Sequence, residues 1–158
     1  MYRINQANLL VLALPVLCGS CLDSGVSPVA NPVAKPRITV RASSYFVSDR
    51  VQFDIWNDQE EPIYISYCNN RYCYTLEQRD STGGWFIRDK WPVTDCDPRY
   101  SSGIIELNGG KNTNESLIMY WPGIFRILII YSTSPALSDS NRIYSNEFIA
   151  RYVNAGAP

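Results

Sequence analysis

Histidine is absent from this chain of 158 residues. That absence removes the commonest general base, the commonest transition-metal ligand and every nucleophile arrangement that relies on an imidazole. Charge is also sparse, at 18% of residues, where soluble domains carry roughly 25%. The 14 Lys+Arg and 15 Asp+Glu leave a formal charge of -1. Nucleic acid is therefore not expected as a partner, because displacing counterions from phosphates needs clustered cations. The lysines are Lys35, Lys90 and Lys111, and none completes the Ser-x-x-Lys spacing of imidazole-free hydrolases. Apolar residues show no helical stripe, and no apolar run approaches the roughly 20 residues a helix needs to cross a bilayer. The expectation is a protein that is not an enzyme and carries no metal and no small-molecule cofactor.

What is present begins at the amino terminus. Arg3 supplies a positive n-region, Leu9 to Leu17 is uninterrupted apolar sequence, and the small residues Gly19 and Ser20 follow. This is the pattern of a cleaved secretory leader, expected over residues 1–20. The stretch Leu17-Cys18-Gly19-Ser20-Cys21 resembles the lipobox of bacterial lipoproteins, in which the final cysteine becomes the lipidated first residue of the mature chain. It departs from that pattern in having Cys18 where leucine usually stands, and the competing reading is a plain secretory cleavage after Ser20. The resemblance implies acylation, palmitate included, on Cys21. It also implies an exported protein of the bacterial cell envelope whose partners are a membrane, through that anchor, and another envelope protein. More than one acyl chain gives stable anchoring. Cys18 and Cys21 also have C-x-x-C spacing, but they end an apolar leader, and no second Cys pair or His completes a metal site.

Residues 21–36 read as a tether. Pro28, Pro32 and Pro36 recur among small side chains that bury too little apolar surface to fold and favour an extended chain. The body spans residues 37–153, and 154–158 form a tail. Period-two alternation runs through the body. Val51, Phe53 and Ile55 alternate with Gln52, Asp54 and Trp56, and Ile63, Ile65 and Tyr67 alternate with Tyr64, Ser66 and Cys68. Asn69-Asn70 fit a two-residue hairpin turn. In that register Tyr67 faces Tyr72, Ile65 faces Tyr74 and Ile63 faces Leu76. Further strands are expected at Ile38 to Arg41, Trp85 to Arg88, Ile104 to Leu107, Ser116 to Trp121, Ile124 to Ser132 and Tyr144 to Val153. Eight or nine short strands separated by Gly and Pro turns predict an all-β, antiparallel sandwich with Greek-key connections.

The succession Val51-x-Phe-x-Ile-x-Asn57, Pro62-Ile-Tyr-Ile, Cys68, Gly84-Trp85, Cys96, Trp121-x-Gly123-x-x-Arg126 and Tyr144-Ser-Asn-x-Phe148 resembles the immunoglobulin-like sandwich of small bacterial lipoproteins. It is more distantly similar to the intracellular proteinase inhibitor (BsuPI-like) domain. The resemblance implies a disulfide between Cys68 and Cys96. The residues themselves leave Cys73 as an alternative partner for either, with Cys68 to Cys73 ranked second. A protease-inhibitor role is an alternative that the resemblance allows, and glycan binding by exposed aromatics is another. Trp56 opposes the phase of Val51, Phe53 and Ile55, which makes it the candidate outer-face aromatic. Tyr67, Tyr72 and Tyr74 share the phase of the apolar residues and are expected in the core. The loop Asn57 to Glu61 reads as a solvated hairpin tip, since it lacks the spacing and central glycine of a calcium loop. Asp95 and Asp97 flank Cys96 without converging on a substrate.

Overall fold

The computed structural model of the chain describes residues 34–92, 96, 99 and 101–153. The leader, Cys21, the tether as far as residue 33, Asp95, Asp97 and the tail lie outside the described residues. Among the described residues there are twelve strands and no helix. They are β1 (Arg37–Val40), β2 (Ser44–Phe46), β3 (Arg50–Trp56), β4 (Ile63–Cys68), β5 (Arg71–Tyr72), β6 (Tyr74–Arg79), β7 (Trp85–Trp91), β8 (Ser102–Leu107), β9 (Asn112–Ile118), β10 (Gly123–Ser132), β11 (Asn141–Tyr144) and β12 (Phe148–Arg151).

Two sheets share one core. The smaller has the order β1-β3-β9, and the larger is built around β10. Alternation dictates the small sheet: Val51, Phe53 and Ile55 are each 0% exposed, and their neighbours face outward. Opposite them lie Ile63, Ile65, Leu76, Phe125, Ile127 and Ile129 of the large sheet. Each such side chain contributes about 1.5–3 kcal/mol on burial. The rings of Phe53 and Tyr74 meet edge to face across the core, with centroids 6.3 Å apart. This is the all-β sandwich expected from the alternation.

The long strand β10 organises the large sheet. On one side it pairs β12 at Gly123 to Phe125 and β11 at Leu128 to Tyr131. On the other it pairs β6 at Phe125 to Leu128 and then β4 at Tyr131 and Ser132. The sheet therefore forks between β4 and β6, and Cys73 sits at the fork between β5 and β6.

That fork corrects the expected hairpin. Asn69 and Asn70 do take positive φ, 53° and 58°, and Tyr67 does face Tyr72. The pairing then stops. Ile65 faces Ile105 and Tyr131, Ile63 faces Leu107, and Leu76 faces Ile127 and Asp89. Ile127 is 0% exposed, and pairing with β10 seats Leu76, 1% exposed, in the shared core. Of the three tyrosines placed in the core, Tyr72 and Tyr74 are buried. Tyr67 is only half-buried, its ring lying over Gly103.

Three boundaries also differ. The strand expected over Tyr144 to Val153 is two strands, because side chains take over the backbone partners between them. Ser145 Oγ accepts from Ile127 N–H (2.9 Å), and Asn146 Oδ1 accepts from Val40 N–H (2.8 Å). The strand expected at Ser116 to Trp121 is β9, shifted toward the amino terminus. Strand β2 carried no alternation long enough to see; it pairs β12 in parallel.

The segment after β3 is a crossover between sheets and not a hairpin tip. Asn57 is 1% exposed, and its Nδ2 donates to the carbonyls of Glu61 (2.8 Å) and Leu107 (2.9 Å). Gly110 N–H donates to Asn57 O at 2.8 Å. A Cβ on Gly109 would stand 2.0 Å from the Glu60 carbonyl oxygen, so only glycine permits this approach.

Candidate functional site

An open groove of about 550 Å³ runs between the end of β7 and the outer edge of β9. Among the described residues, strand β9 pairs only β3. Asn57 N–H donates to Lys111 O, and Met119 N–H donates to Asp49 O, so odd-numbered residues bond toward β3. Even-numbered residues therefore turn their backbone groups toward the groove. At Ser116 both groups are capped. Its N–H donates to Glu115 Oε1 (2.8 Å), and its carbonyl accepts from Arg71 Nη2 (2.6 Å). Glu115 Oε2 accepts from Tyr72 N–H at 3.3 Å, and Arg71 Nε lies 3.6 Å from Glu115 Oε1. Arg71 also lies over the rings of Tyr74 (5.7 Å) and Trp91 (5.1 Å). The pair thus staples the small sheet to the large one and protects the middle of an edge that would otherwise invite strand pairing. Arg50, Asp89, Lys90, Ile118 and Tyr120 complete the walls.

A second recess, about 350 Å³, lies at the fork. Leu128, Ile130, Ser66 and Thr75 line it together with Cys73, Lys90, Trp91 and the loop after β10. Asp139 of that loop accepts from Ser132 Oγ, from Thr133 N–H and Oγ1 (both 3.1 Å) and from Asn141 Nδ2 (2.6 Å). These donors, the Ser132 hydroxyl first and the Thr133 amide next, hold its carboxyl at about 2. Burial pushes the Cys73 thiol up, away from the reactive thiolate. This is a closed local network and not a poised acid or nucleophile.

The remaining candidate residues fall elsewhere. Cys68 and Cys96 are bonded to each other, and Cys73 is free. The Trp91 indole donates to Cys68 O at 3.1 Å, which ties the wall shared by both recesses to the disulfide. Trp56 lies on the outer face of β3, half-buried, with the Arg37 guanidinium 4.6 Å above its ring. Each of the other three tryptophans is covered in the same way: Trp85 by Arg126 at 4.2 Å, Trp91 by Arg71, and Trp121 by Arg88 at 4.6 Å. Arg126 is also stacked on Tyr144 (4.2 Å) and paired with Glu77 (2.7 Å). A sugar stacking on Trp56 would compete with Arg37. Among the described residues no group of three His, Cys, Asp or Glu is placed to hold a metal ion, and no helix is long and apolar enough to cross a membrane.

Alternation could not reveal the groove, because its walls come from strands distant in sequence. The signal that was available is compositional: 11 of the 14 basic residues are arginine beside 11 Tyr and 4 Trp, the materials of guanidinium–aromatic stacks.

The strand pairings define the class: a two-sheet β-sandwich of immunoglobulin-like type. No family model matches the chain, and no curated protein matches it. Among solved structures, the ASH / PapD-like domain of human CEP192 (PapD-like domain 7) is similar at 13% identity. The alignment covers 95% of this chain and 100% of that one, with a TM-score of 0.35.

Proposed function

We propose that this chain is an exported protein, lipid-anchored at Cys21, that acts without catalysis by holding another envelope protein in the groove between β7 and β9. The observation that carries the reading is the groove itself. It is concave, opens beside a strand edge and is walled by Arg, Trp and Tyr, the residue types that dominate binding energy at protein interfaces. The leader and the run Leu17-Cys18-Gly19-Ser20-Cys21 support export and anchoring. A bonded Cys68 and Cys96 suits an oxidising compartment. Absence of catalysis is supported by the state of the carboxylates at the two recesses: Glu115, Asp89 and Asp139 are all held by hydrogen bonds from their own chain.

Two measurements test it. Intact mass of the mature protein is expected to show a diacylglycerol and an acyl chain on Cys21, and an unmodified Cys21 removes the anchor. A photo-crosslinking residue at Tyr120, 58% exposed on the groove wall, is expected to capture one envelope protein. The same residue at Tyr152, 63% exposed and not among the groove residues, is expected to capture none. Equal capture at both positions overturns the groove as the binding surface.

A further inference from the structure

The groove between β7 and β9 holds charged groups of both signs, and they are not equally committed. Glu115 takes the N–H groups of Ser116 and Tyr72 and faces Arg71. Asp89 takes the N–H of Lys90 at 2.8 Å. Arg71 is committed too, to the Ser116 carbonyl and to two aromatic faces. Arg50 differs: its one side-chain bond runs to the Ser116 hydroxyl at 3.1 Å, and no carboxylate pairs it among the described residues. The Lys90 ammonium has no partner at all among the described residues. Among the described residues, two cations without counter-charges therefore line one concavity, next to the exposed apolar side chains of Ile118 and Tyr120.

We propose that this groove takes an extended acidic segment of a protein partner. One carboxylate lies against Arg50 and Lys90, and the flanking apolar side chains lie on Ile118 and Tyr120, which are exposed on the groove wall. This proposal rests on the groove reading above and names the partner's chemistry. Charge complementarity selects acidic over basic or neutral segments, because an unpaired cation meeting a like charge in a desolvated contact is strongly disfavoured. Extended form follows from the walls. The groove is bounded by the end of β7 and the outer edge of β9, and the outward backbone groups of Asn112 and Asn114 beside it have the geometry of an open strand edge. A small anion would satisfy the cations and leave Ile118 and Tyr120 bare. A flat anionic membrane surface would meet the concavity poorly.

The test uses the purified full chain and a fluorescein-labelled decapeptide of alternating Glu and Val. Separate arms carry a Gln–Val decapeptide, inorganic phosphate and vesicles rich in anionic lipid. The Glu–Val peptide is expected to bind about tenfold or more tightly than the Gln–Val peptide, with affinity falling as salt rises. The double substitution Arg50→Gln, Lys90→Gln is expected to lower that affinity about tenfold without moving Tm, since both side chains are solvent-facing. Equal binding of the Gln–Val peptide overturns the proposal. So does an unchanged affinity in the double variant, or binding confined to phosphate or to vesicles. If the Glu–Val peptide fails while crosslinking at Tyr120 persists, the partner is a protein that is not acidic there. Loss of both takes the groove reading down with it.

Discussion

The two recesses share Tyr74, Lys90 and Trp91 as a common wall and yet differ in how their charged groups are engaged. At the fork, the one carboxylate is surrounded by donors from its own loop, and the free thiol is pushed away from ionisation. In the groove, both carboxylates are occupied by backbone amides while, among the described residues, two cations stand without counter-charges. Polar groups alone do not mark a site. What distinguishes a surface available for binding is which hydrogen-bonding and ionic capacity the fold has left unspoken for, and that differs over the width of a single strand.

The strongest way to disturb both recesses together is to remove the disulfide behind their shared wall. Cys68→Ser with Cys96→Ser opens a loop with a sequence separation of 28. The expected loss is about 3–4 kcal/mol by denaturant unfolding. The next substitution separates the two. Arg71→Ala removes the staple to Glu115 and Ser116 and is expected to cost about 1–2 kcal/mol, with crosslinking at Tyr120 altered. The Asp139 network makes no bond to Arg71, so exchange of amides in the loop after β10 should not change. If both recesses respond equally, they are one unit and the contrast fails.

Acid probes the fork side. The Asp139 carboxyl is held at about 2, below its ordinary value of 3.8. Its network is therefore fully present above the ordinary value and is lost as pH falls from about 4 toward about 2. The protection of the Thr133 amide, measured against its intrinsic exchange rate, is expected to fall over that interval, and Asp139→Asn to abolish the step. The smallest effect is expected at Trp56. Trp56→Ala removes a half-buried ring from under Arg37, and a shift within about 1 kcal/mol by thermal melting would keep it on the outer face. A loss of several kcal/mol would instead mean that it packs as a core residue does.

Much of the architecture could be read from alternation alone. Val51, Phe53 and Ile55 announce a half-buried strand, and Ile124 to Tyr131, apolar on nearly every position, announces a central one. Asn69-Asn70 announce their turn, because few residues accept positive φ. What could not be read is where a strand leaves one partner for another. Tyr74 and Leu76 have the right phase to pair Ile65 and Ile63, yet they pair β7 and β10, since phase specifies a face and not a neighbour. The split at Ser145 and Asn146 depends on two side chains reaching the backbone of β10 and β1, again a tertiary choice. The groove was illegible for the same reason: Arg50, Arg71, Lys90 and Glu115 meet only after both sheets have formed.

The interlocked corner at Asn57, Gly109 and Gly110 bears on how the chain can be altered. One amide side chain, one glycine in backbone contact with Glu60 and a carbonyl bonded to Gly110 leave no slack, so a lengthened crossover there has nowhere to go. The hairpin tip between β6 and β7 is its opposite. Asp80 organises it by accepting from Thr82 and Gly84, and its residues are exposed. A fluorophore or affinity tag inserted at that tip should leave the fold intact, whereas a single added residue at the corner should prevent the sheets from closing on each other.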